Sequence, residues 1–393
     1  MFMGQPLSRG LKLGYRTNIL FVSSAHHIAG GEINLLALLD TIDCGRFKPY
    51  CLYNPASHFE VWKLQAGVSL SPFHFPVYSK KSVSSIVIAH VKLATILKRY
   101  KIGLIYINIA GDYKFFRPLS KILNIPVILH IHIDEPDEDL RWIKADCADR
   151  ILFPSRATML AVLKHSPQLE SSKCFYVHNG VDLSKYYPRE SKQLYNKIGL
   201  SENLPVIGIF GQLKRIKGQH LFLEMAKNLS YLGIKANFII VGKDTTTLQG
   251  EYEERLKKMA RDLGVKDLVH FLGFRSDIPD LMSMCDLVVV PSLKEPFGRV
   301  VIEAMACGTP VVASAVDGIL EIFKNGEGGL FFNAGSVSEL TEKVKYFFDN
   351  PQWWELQNRK AYEHCKMNFA QEIHTSKIEE HISQVIHSRK RCQ

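Results

Sequence analysis

The chain has 393 residues, 46% of them hydrophobic, and a formal net charge of +10. This length suffices for two domains, and the composition is that of a soluble globular protein. The sequence contains no run of about 18 apolar residues, which argues against a helix that spans a membrane. The positive charge favours an anionic partner: a nucleoside diphosphate, a phospholipid surface or, less readily, a nucleic acid.

The cysteines and the N-terminal residues indicate the compartment. The eight cysteines contain no C-x-x-C pair, so their spacing predicts neither a zinc site nor a disulfide framework. This usage suits a reducing cytoplasm. Residues 1–16 combine basic side chains with only a brief apolar run, which is a poor signal peptide, and we expect a loose N-terminal arm. The predicted location is therefore cytoplasmic.

The first predicted elements are a buried strand over 18–23, a Gly-Gly pair and a helix over 33–39. Gly30 and Gly31 lie between the strand and the helix, where backbone N–H groups can bind a phosphate or a hydroxyl. The pair lacks the third glycine of a dinucleotide-binding fingerprint. A tight turn without a ligand is therefore the alternative.

A helix is predicted over 84–100, inside a basic region of the chain. Its apolar residues repeat at helical spacing: Val87, Val91, Ala94 and Leu97. Residues 79–121 contain nine Lys or Arg and a single acid, Asp112. Basic residues beside an amphipathic helix can hold a protein on an anionic membrane surface. The alternative is a domain helix with a solvated basic face.

Two histidines mark the end of a strand predicted over 125–132. Side-chain alternation places His130 and His132 on the same side of the sheet. Open α/β sheets bind their ligands at the carboxyl ends of the strands, so both histidines are candidate site residues. A purely structural role is the alternative.

An acidic run at 134–139 contains an Asp-x-Asp string, a pattern that can hold a metal ion. Pro136 and the surrounding acids are instead typical of the first turn of a helix, which we predict to continue to about Ala145. We therefore expect no essential metal.

A second set of strands and helices begins with a buried strand over 205–210. The loop that follows contains Lys214, Arg215 and Lys217, and a helix is predicted over 219–230. These cations can neutralise a diphosphate, and the start of the helix adds N–H donors. A solvated basic loop is the alternative.

The most specific motif is PSLKEPFGRVVIEAMACGTPVVAS, at 291–314. It joins two apolar strands through a turn and a helix over about 298–307, the building block of a parallel sheet. Glu295 precedes the turn and Glu303 lies inside the helix. Phe297 is at the helix start, where unpaired N–H groups can receive an anion or a sugar hydroxyl.

This string resembles the donor-site motif of family 4 glycosyltransferases, Glu-x7-Glu followed by Ala-Met-Ala-x-Gly-x-Pro-Val-Val. Other strings also resemble that family: the Gly-Gly pair, Pro-Val-x-x-x-x-His ending at His132, and Asn-Gly-Val-Asp at 179–182. The loop at 211–218 is similar to its Gly-Arg-Leu-x-x-x-Lys-Gly. Gln212 stands where the family usually has arginine, which leaves open whether Lys214 or Arg215 supplies that charge.

By this resemblance, which covers about residues 17–350, Glu295 contacts hydroxyls of the donor sugar and Glu303 the ribose of the nucleotide. Lys217 is the phosphate-binding lysine, and His132 lies near the reacting sugar, so His132 and Glu295 are the catalytic candidates. The other donor-binding candidates are Gly30, Gly31, Lys214, Arg215, Gly273, Arg275, Phe297 and Gly298. The acceptor-side candidates are Glu32, His130 and Glu135.

The implied fold is GT-B, an α/β fold with two doubly wound Rossmann-like domains facing a central cleft. We expect an acceptor-side domain over 17–190 and a domain that binds the nucleotide-sugar donor over 191–370. A terminal helix at 371–393 is expected to cross back to the first domain.

The implied reaction moves a sugar from a nucleoside diphosphate sugar, with UDP or GDP, to a hydroxyl of a glycan or lipid-linked acceptor. Retention at the anomeric carbon, no separate cofactor and a role in cell-surface polysaccharide, lipopolysaccharide or glycolipid synthesis are implied as well. The enzyme is expected in the cytoplasm, with peripheral binding at the inner face of the membrane as a further hypothesis. The alternatives are a nucleotide-sugar epimerase of the same fold and a nucleotide-sugar-binding subunit without activity. No nucleic-acid partner is expected.

Overall fold

The computed structural model describes residues 16–76, 83–190, 194–201, 203–244, 250–324 and 326–391. Residues 1–15 of the predicted N-terminal arm lie outside the described residues. Residues 79–82 of the basic region lie outside them as well.

The chain divides into two compact units. The first contains the residues up to Ile131, Glu138–Ile151 and the residues from Ile378 onward. The second contains His132–Asp137 and Leu152–Lys377.

The first half of the chain supplies a seven-stranded sheet. Its strands are β1 Thr17–Ser23, β2 Phe47–Tyr53, β3 Ser69–Pro72, β4 Leu104–Ile107, β5 Val127–His130, β6 Arg150–Phe153 and β7 Cys174–Tyr176. They lie in the order β3-β2-β1-β4-β5-β6-β7, and the pairs from β3 through β5 are parallel. The central strands β4 and β5 are buried apolar runs, as expected for a parallel sheet covered on both faces.

The second half supplies a six-stranded parallel sheet. Its strands are β8 Val206–Phe210, β9 Asn237–Val241, β10 Val269–Gly273, β11 Leu287–Val290, β12 Val311–Ser314 and β13 Gly329–Phe332. Their order is β10-β9-β8-β11-β12-β13, with parallel pairing throughout. The strand order reverses between β8 and β11, and such a switch point is where doubly wound sheets bind ligands.

Helices connect these strands. They are α1 Gly30–Thr41, α2 Val83–Arg99, α3 Tyr113–Ile122, α4 Asp137–Ile143, α5 Arg156–His165, α6 Leu194–Ile198, α7 Gln219–Tyr231, α8 Glu251–Asp262, α9 Ile278–Met284, α10 Arg299–Ala306, α11 Val337–Asp349, α12 Pro351–Phe369 and α13 Gln371–Arg391. Helix α13 begins in the second unit and ends in the first.

The core of the second unit has two hydrophobic layers, one on each face of the sheet. Val288 and Val290 pack in the layer that contains apolar residues of α10. Leu287 and Val289 pack in the layer that contains apolar residues of α7. The alternation of strand side chains explains why four consecutive apolar residues of β11 serve two layers. The prediction of doubly wound parallel sheets is confirmed.

The predicted turn before the first helix has different bounds in the structure. Helix α1 begins at Gly30, so Gly30 and Gly31 form its first turn instead of a loop that precedes it. The carboxylate of Glu32 accepts a hydrogen bond from the N–H of Ala29, at 3.2 Å, and caps the helix. Because of this cap, the helix begins three residues before the predicted residue 33, in spite of its two glycines.

The predicted apolar side of α2 is wrong in part. Val87 and Val91 are 56% and 63% exposed, whereas Ala89, Leu93 and Leu97 are buried. Both sets repeat at helical spacing, and the pattern alone did not distinguish the side that packs in the core.

The described residues after β13 contain three helices, α11, α12 and α13, and α13 begins at residue 371, where the terminal helix was predicted to start. A short 3₁₀ helix, Asp317–Glu321, follows β12. Local contacts and backbone geometry define two helix ends. Ser155 accepts a hydrogen bond from the N–H of Thr158 at the start of α5, and Gly308 has the left-handed φ of 72° that ends α10.

Candidate functional site

The donor motif forms the loop and helix between β11 and β12. The side chain of Phe297 is buried, and its ring stacks on that of His178 with centroids 5.4 Å apart. Gly298 precedes α10 with a φ of 106°, and a Cβ at this position would lie 2.9 Å from Ile319. Only glycine fits this conformation without strain. The start of α10, with its unpaired N–H groups, is therefore held against the 3₁₀ helix that follows β12.

Glu295 and Lys217 form an ion pair at the switch point of the second sheet. The Nζ of Lys217 lies 2.5 Å from Oε2 of Glu295, to which the hydroxyl of Ser292 also donates at 3.1 Å. The backbone N–H of Glu295 donates to the carboxylate of Asp317 at 3.0 Å. The two charged groups that sequence analysis placed in separate motifs are thus in direct contact.

The loop between β11 and α10, residues 291–298, is called the donor loop from here on. The backbone of the basic loop at 211–218 also contacts this donor loop. The N–H of Leu293 donates to the carbonyl of Ile216 at 2.8 Å. Gly218 has a φ of 75°, and a Cβ there would lie 2.0 Å from the carbonyl oxygen of Pro291. The two loops therefore pack at a distance that excludes a side chain at residue 218.

The other candidates of the basic loop lie closer to solvent. Lys214 is half-buried and Arg215 is exposed. The carbonyl of Gln212 accepts a hydrogen bond from the side-chain amide of Gln219 at 3.0 Å. Lys214 and Arg215 stay candidates for the charge that Gln212 does not supply.

Glu303 lies inside α10 and is 9% exposed. Its Oε1 accepts a hydrogen bond from Nη2 of Arg299 at 3.0 Å. Burial raises the pKa of Glu303 above its ordinary range, and the charge of Arg299 opposes that rise. Sequence analysis missed Arg299, although its spacing of four residues from Glu303 on one helix is a readable signal.

Two candidates lie at the end of β10: Gly273 is its last residue, and Arg275 follows two residues later. Gly273 has a φ of 63°, and its carbonyl accepts a hydrogen bond from the N–H of Gly242 at 2.9 Å. The guanidinium of Arg275 is bound by both oxygens of Asp277, at 2.8 and 2.5 Å. This pairing leaves the backbone of Arg275, more than its charge, to contact a ligand.

His132 is half-buried in the second unit, near two other cationic or titratable groups. Burial, followed by the nearby His374 and Arg299, lowers the pKa of His132 to about 3. His374 is buried too, with its pKa lowered to about 4, and its Nδ1 lies 2.7 Å from the carbonyl of His178. His132 is therefore neutral at physiological pH.

Asp134 and Lys294 join the segment after His132 to the donor loop. Oδ2 of Asp134 lies 2.6 Å from Nζ of Lys294, and Oδ1 lies 2.8 Å from Nε2 of His165. The acidic run is thus only partly a helix start, since α4 begins at Asp137. Glu135 precedes that helix and is half-buried.

Glu321 is a second residue, after Arg299, that the sequence did not single out. It accepts hydrogen bonds from the N–H groups of Arg156 and Ala157, at 3.0 and 2.7 Å, at the start of α5. Its Oε2 also lies 2.8 Å from Nε2 of His178. No sequence pattern signalled these contacts because the partners lie more than 140 residues away along the chain.

The candidates of the first unit lie at the ends of its strands. Gly30 is exposed and Gly31 half-buried, whereas Glu32 is buried and accepts from the hydroxyl of Ser23 and the side-chain amide of Asn108, both at 3.3 Å. Burial raises the pKa of Glu32.

His130, also in the first unit, is buried. Its Nδ1 lies 2.6 Å from the hydroxyl of Tyr106. The contacts of Glu32 and His130 fix these side chains in the fold, and their predicted acceptor-side roles stay predictions.

The described part of the chain brings together no group of three His, Cys, Asp or Glu side chains that could hold a metal ion. Nor do its helices include one with the length and apolar character needed to cross a membrane.

Comparison with known proteins connects this geometry to a family. The family model "Glycosyl transferases group 1" matches residues 190–367, which contain the basic loop and the donor motif. The match covers less than half of the chain and shows a similarity to this family over these residues. Lys217, Glu295 and Glu303 all lie within the matched residues.

Two curated relatives match less than half of this chain. D-inositol 3-phosphate glycosyltransferase 1 of Catenulispora acidiphila is 32% identical over 181 residues, 44% of this chain and 43% of the relative. An N,N'-diacetylbacillosaminyl-diphospho-undecaprenol alpha-1,3-N-acetylgalactosaminyltransferase of Campylobacter jejuni is 32% identical over 185 residues, 46% of each chain. The match spans less than half the length of these relatives.

Solved structures match the chain over most of its length. Anabaena Alr3699/HepE in complex with UDP and glucose has a TM-score of 0.82 at 26% identity, covering 94% of this chain and 100% of the other. WaaG, a glycosyltransferase involved in lipopolysaccharide biosynthesis, has a TM-score of 0.68 at 15% identity, covering 91% and 98%, and supports the fold alone. The GT-B fold prediction is confirmed.

Proposed function

We propose that this chain is a retaining glycosyltransferase that moves a sugar from a UDP-sugar to an acceptor hydroxyl. The observation that carries the proposal is the contact between Lys217 and Glu295 at the switch point of the second sheet. A phosphate-binding cation and a sugar-binding carboxylate are both needed by a nucleotide-sugar donor, and here they are neighbours.

The roles of the donor-site residues follow from the charges that the reaction creates. Cleavage of the donor leaves negative charge on the departing diphosphate, which Lys217, Lys214 or Arg215, and the start of α10 at Gly298 stabilise. Lys217 is already in place, since Glu295 holds it until the phosphates arrive. Glu295 then holds hydroxyls of the sugar, which orients the reacting carbon.

The nucleotide is held by groups on α10 and at the end of β10. Glu303 accepts hydrogen bonds from the ribose hydroxyls, and the backbone at Phe297 donates to the sugar. The backbone from Gly273 to Arg275 contacts the base. UDP is the proposed nucleotide because the complexes of Alr3699/HepE contain UDP, UDP-glucose, or UDP and glucose.

His132 contributes to transfer in its neutral form. The bond between the anomeric carbon and the phosphate oxygen breaks with its electron pair leaving on the diphosphate, which makes the sugar cationic. A protonated histidine nearby would oppose that charge, and the low pKa of His132 prevents it. The acceptor oxygen bonds to the same face, and its proton passes to the departing phosphate, which gives retention without a protein nucleophile.

The acceptor is proposed to be a glycan or lipid-linked hydroxyl compound, and the pathway cell-surface polysaccharide, lipopolysaccharide or glycolipid synthesis. The name of the Campylobacter jejuni relative, with a diphospho-undecaprenol acceptor, supports the lipid-linked class. Acceptor-side candidates are Glu32, His130 and Glu135, whereas Gly30 and Gly31 are candidates for donor binding. We propose that the chain carries out this sugar transfer in the cytoplasm.

An exposed face of α2 supports peripheral binding to an anionic membrane. Val87, Ile88 and Val91 are each more than half exposed and lie on adjacent turns of the helix. Exposed basic residues accompany them on the same helix: Lys92, Lys98 and Arg99. Apolar side chains flanked by cations are the pattern of a helix that lies in the membrane interface.

Sedimentation with vesicles that contain an anionic phospholipid tests this surface. The double variant Val87→Glu, Val91→Glu should bind at least about fivefold less than wild type, because it removes apolar burial and adds repulsion. Tyr231→Glu, at a residue 91% exposed on α7, is the matched control and should bind as wild type does. Equal binding by the double variant and wild type contradicts the assignment.

A donor panel tests the proposed reaction. Purified chain is incubated with UDP- and GDP-sugars, with and without lipid-linked acceptors, and release of nucleoside diphosphate is measured. We expect release from a UDP-sugar that rises when acceptor is present. Epimerised donor without acceptor indicates the epimerase, and tight donor binding without release for any acceptor indicates the binding subunit.

A further inference from the structure

We infer that Arg299 is the positioning residue of the donor site: it holds the carboxylate of Glu303 in place and keeps it ready to accept ribose hydroxyls. The inference rests on the proposed function, which gives Glu303 its ligand. It adds a residue that the donor motif itself does not specify.

The side chain of Arg299 contacts both Glu303 and the backbone at Gly180. Its Nη2 donates to Oε1 of Glu303 at 3.0 Å, and its Nη1 lies 3.4 Å from the carbonyl of Gly180. The two side chains of this pair are only 16% and 11% exposed. This hydrogen bond restrains the carboxylate through Oε1, and we assign Oε2 to accept from the ligand.

The charge of Arg299 determines whether Glu303 is ionised. Burial alone favours the protonated acid, which would donate one hydrogen bond and lose acceptor capacity. Three other titratable groups face Glu303: Tyr186 from the segment after β7, Cys307 from the end of α10, and Cys365 from α12.

None of these three groups competes with Arg299. Burial raises the pKa of Tyr186, and it raises that of both Cys307 and Cys365 to about 12. All three are neutral at physiological pH. Within the described residues the charge that governs Glu303 is therefore that of Arg299.

The guanidinium also acts on the histidines of this unit. Its charge is one cause of the lowered pKa of His132 and of His374, after burial. One cation thus favours the ionised form of Glu303 and the neutral form of His132. Both are the forms that donor binding and transfer require in the proposed mechanism.

The test compares UDP binding by wild type, Arg299→Met and Arg299→Lys by calorimetry, at low and high pH. Without the cation the pKa of Glu303 rises further, so the carboxylate is lost as pH falls. At about pH 6.5 we expect Arg299→Met to bind UDP roughly tenfold more weakly than wild type, and the defect to shrink at about pH 8.5. Arg299→Lys keeps the charge and should restore the wild-type pH profile.

A matched control separates this effect from a general loss of a helical ion pair. Lys258→Met removes an exposed pair of the same spacing, with Asp262 on α8, and should leave UDP binding unchanged at both pH values. Carbon-13 NMR of labelled glutamate carboxyls, assigned by Glu303→Gln, should show a higher pKa of Glu303 in Arg299→Met than in wild type. This readout needs no ligand.

The outcomes are distinct. Wild type that binds UDP, together with Arg299→Met that binds equally well at both pH values, overturns the inference and leaves the proposed function intact. An unchanged pKa of Glu303 in Arg299→Met overturns it also. Wild type that binds neither UDP nor GDP overturns the proposed function, and with it the ribose as the ligand of Glu303.

Discussion

At the scale of single residues, the proposed donor site depends on contacts between charged side chains, Lys217 with Glu295 and Arg299 with Glu303. The sequence singled out Glu295, Glu303 and Lys217, because a specific motif and a basic loop contain them. The contacts of Glu295 with Lys217 and Asp317 depend on which loops the sheet brings together. Lys217 and Glu295 are 78 positions apart, so neither periodicity nor spacing could predict their contact. The contact of Glu303 with Arg299, four residues away on the same helix, could have been predicted from the sequence.

Glu295→Ala should separate binding of the nucleotide from transfer of the sugar. Glu295 is proposed to hold the sugar, so its loss should lower donor turnover at least about tenfold, equivalent to about 1.4 kcal/mol. UDP affinity should be unchanged or stronger, since Lys217 loses its carboxylate partner. Steady-state rates and UDP binding are measured on the same preparation, with Glu251→Ala on the exposed face of α8 as control. Loss of UDP affinity in Glu295→Ala would contradict the assigned role.

The pH profile tests the state of His132. A histidine whose pKa is lowered to about 3 takes up a proton only as pH falls toward that value. Between about pH 5 and 8 it stays neutral, so the turnover number should show no limb caused by His132. Wild type and His132→Gln should give profiles of the same shape, with lower rates in the variant. A limb near pH 6.5 in wild type that disappears in His132→Gln would refute this account.

At the scale of elements, the strands and the long helices follow from apolar runs and periodicity, and most were predicted within a few residues. Strand β8, for example, was predicted over 205–210 and occurs at Val206–Phe210. The errors lie where tertiary contacts decide. The cap from Glu32 extends α1 to Gly30, and packing in the first unit selects Ala89, Leu93 and Leu97 as the inner face of α2. These tertiary contacts cannot be predicted from sequence patterns.

Gly298→Ala tests the link between the start of α10 and donor binding. The variant places a Cβ at a φ of 106° and 2.9 Å from Ile319, which should cost roughly 1–3 kcal/mol of unfolding free energy and weaken UDP binding. Gly250→Ala is the control, because Gly250 also precedes a helix with positive φ, 69°, but a Cβ there meets nothing within 4 Å. Urea unfolding and UDP titration measure both. Equal UDP affinity in the two variants would contradict a role for this helix start.

At the scale of the whole molecule, repeated alternation of strands and helices predicted two doubly wound sheets, and the structure has them. The half that contains the predicted donor site carries the family match at 190–367, which agrees with the specificity of its motifs. The half that contains the predicted acceptor site has no comparably specific motif, and its candidate residues Glu32 and His130 make contacts within the first unit. Donor chemistry could therefore be predicted from the sequence in more detail than acceptor choice.

The central claim is that the second unit binds a nucleoside diphosphate through Lys217 and Glu303. Titration calorimetry of UDP into wild type, Lys217→Ala and Glu303→Ala tests it most directly, with Lys258→Ala as an exposed control. We predict one UDP per wild-type chain, and at least about tenfold weaker binding in each site variant, equivalent to about 1.4 kcal/mol. Wild type that binds no nucleoside diphosphate, or both site variants binding UDP as tightly as wild type, would contradict the claim.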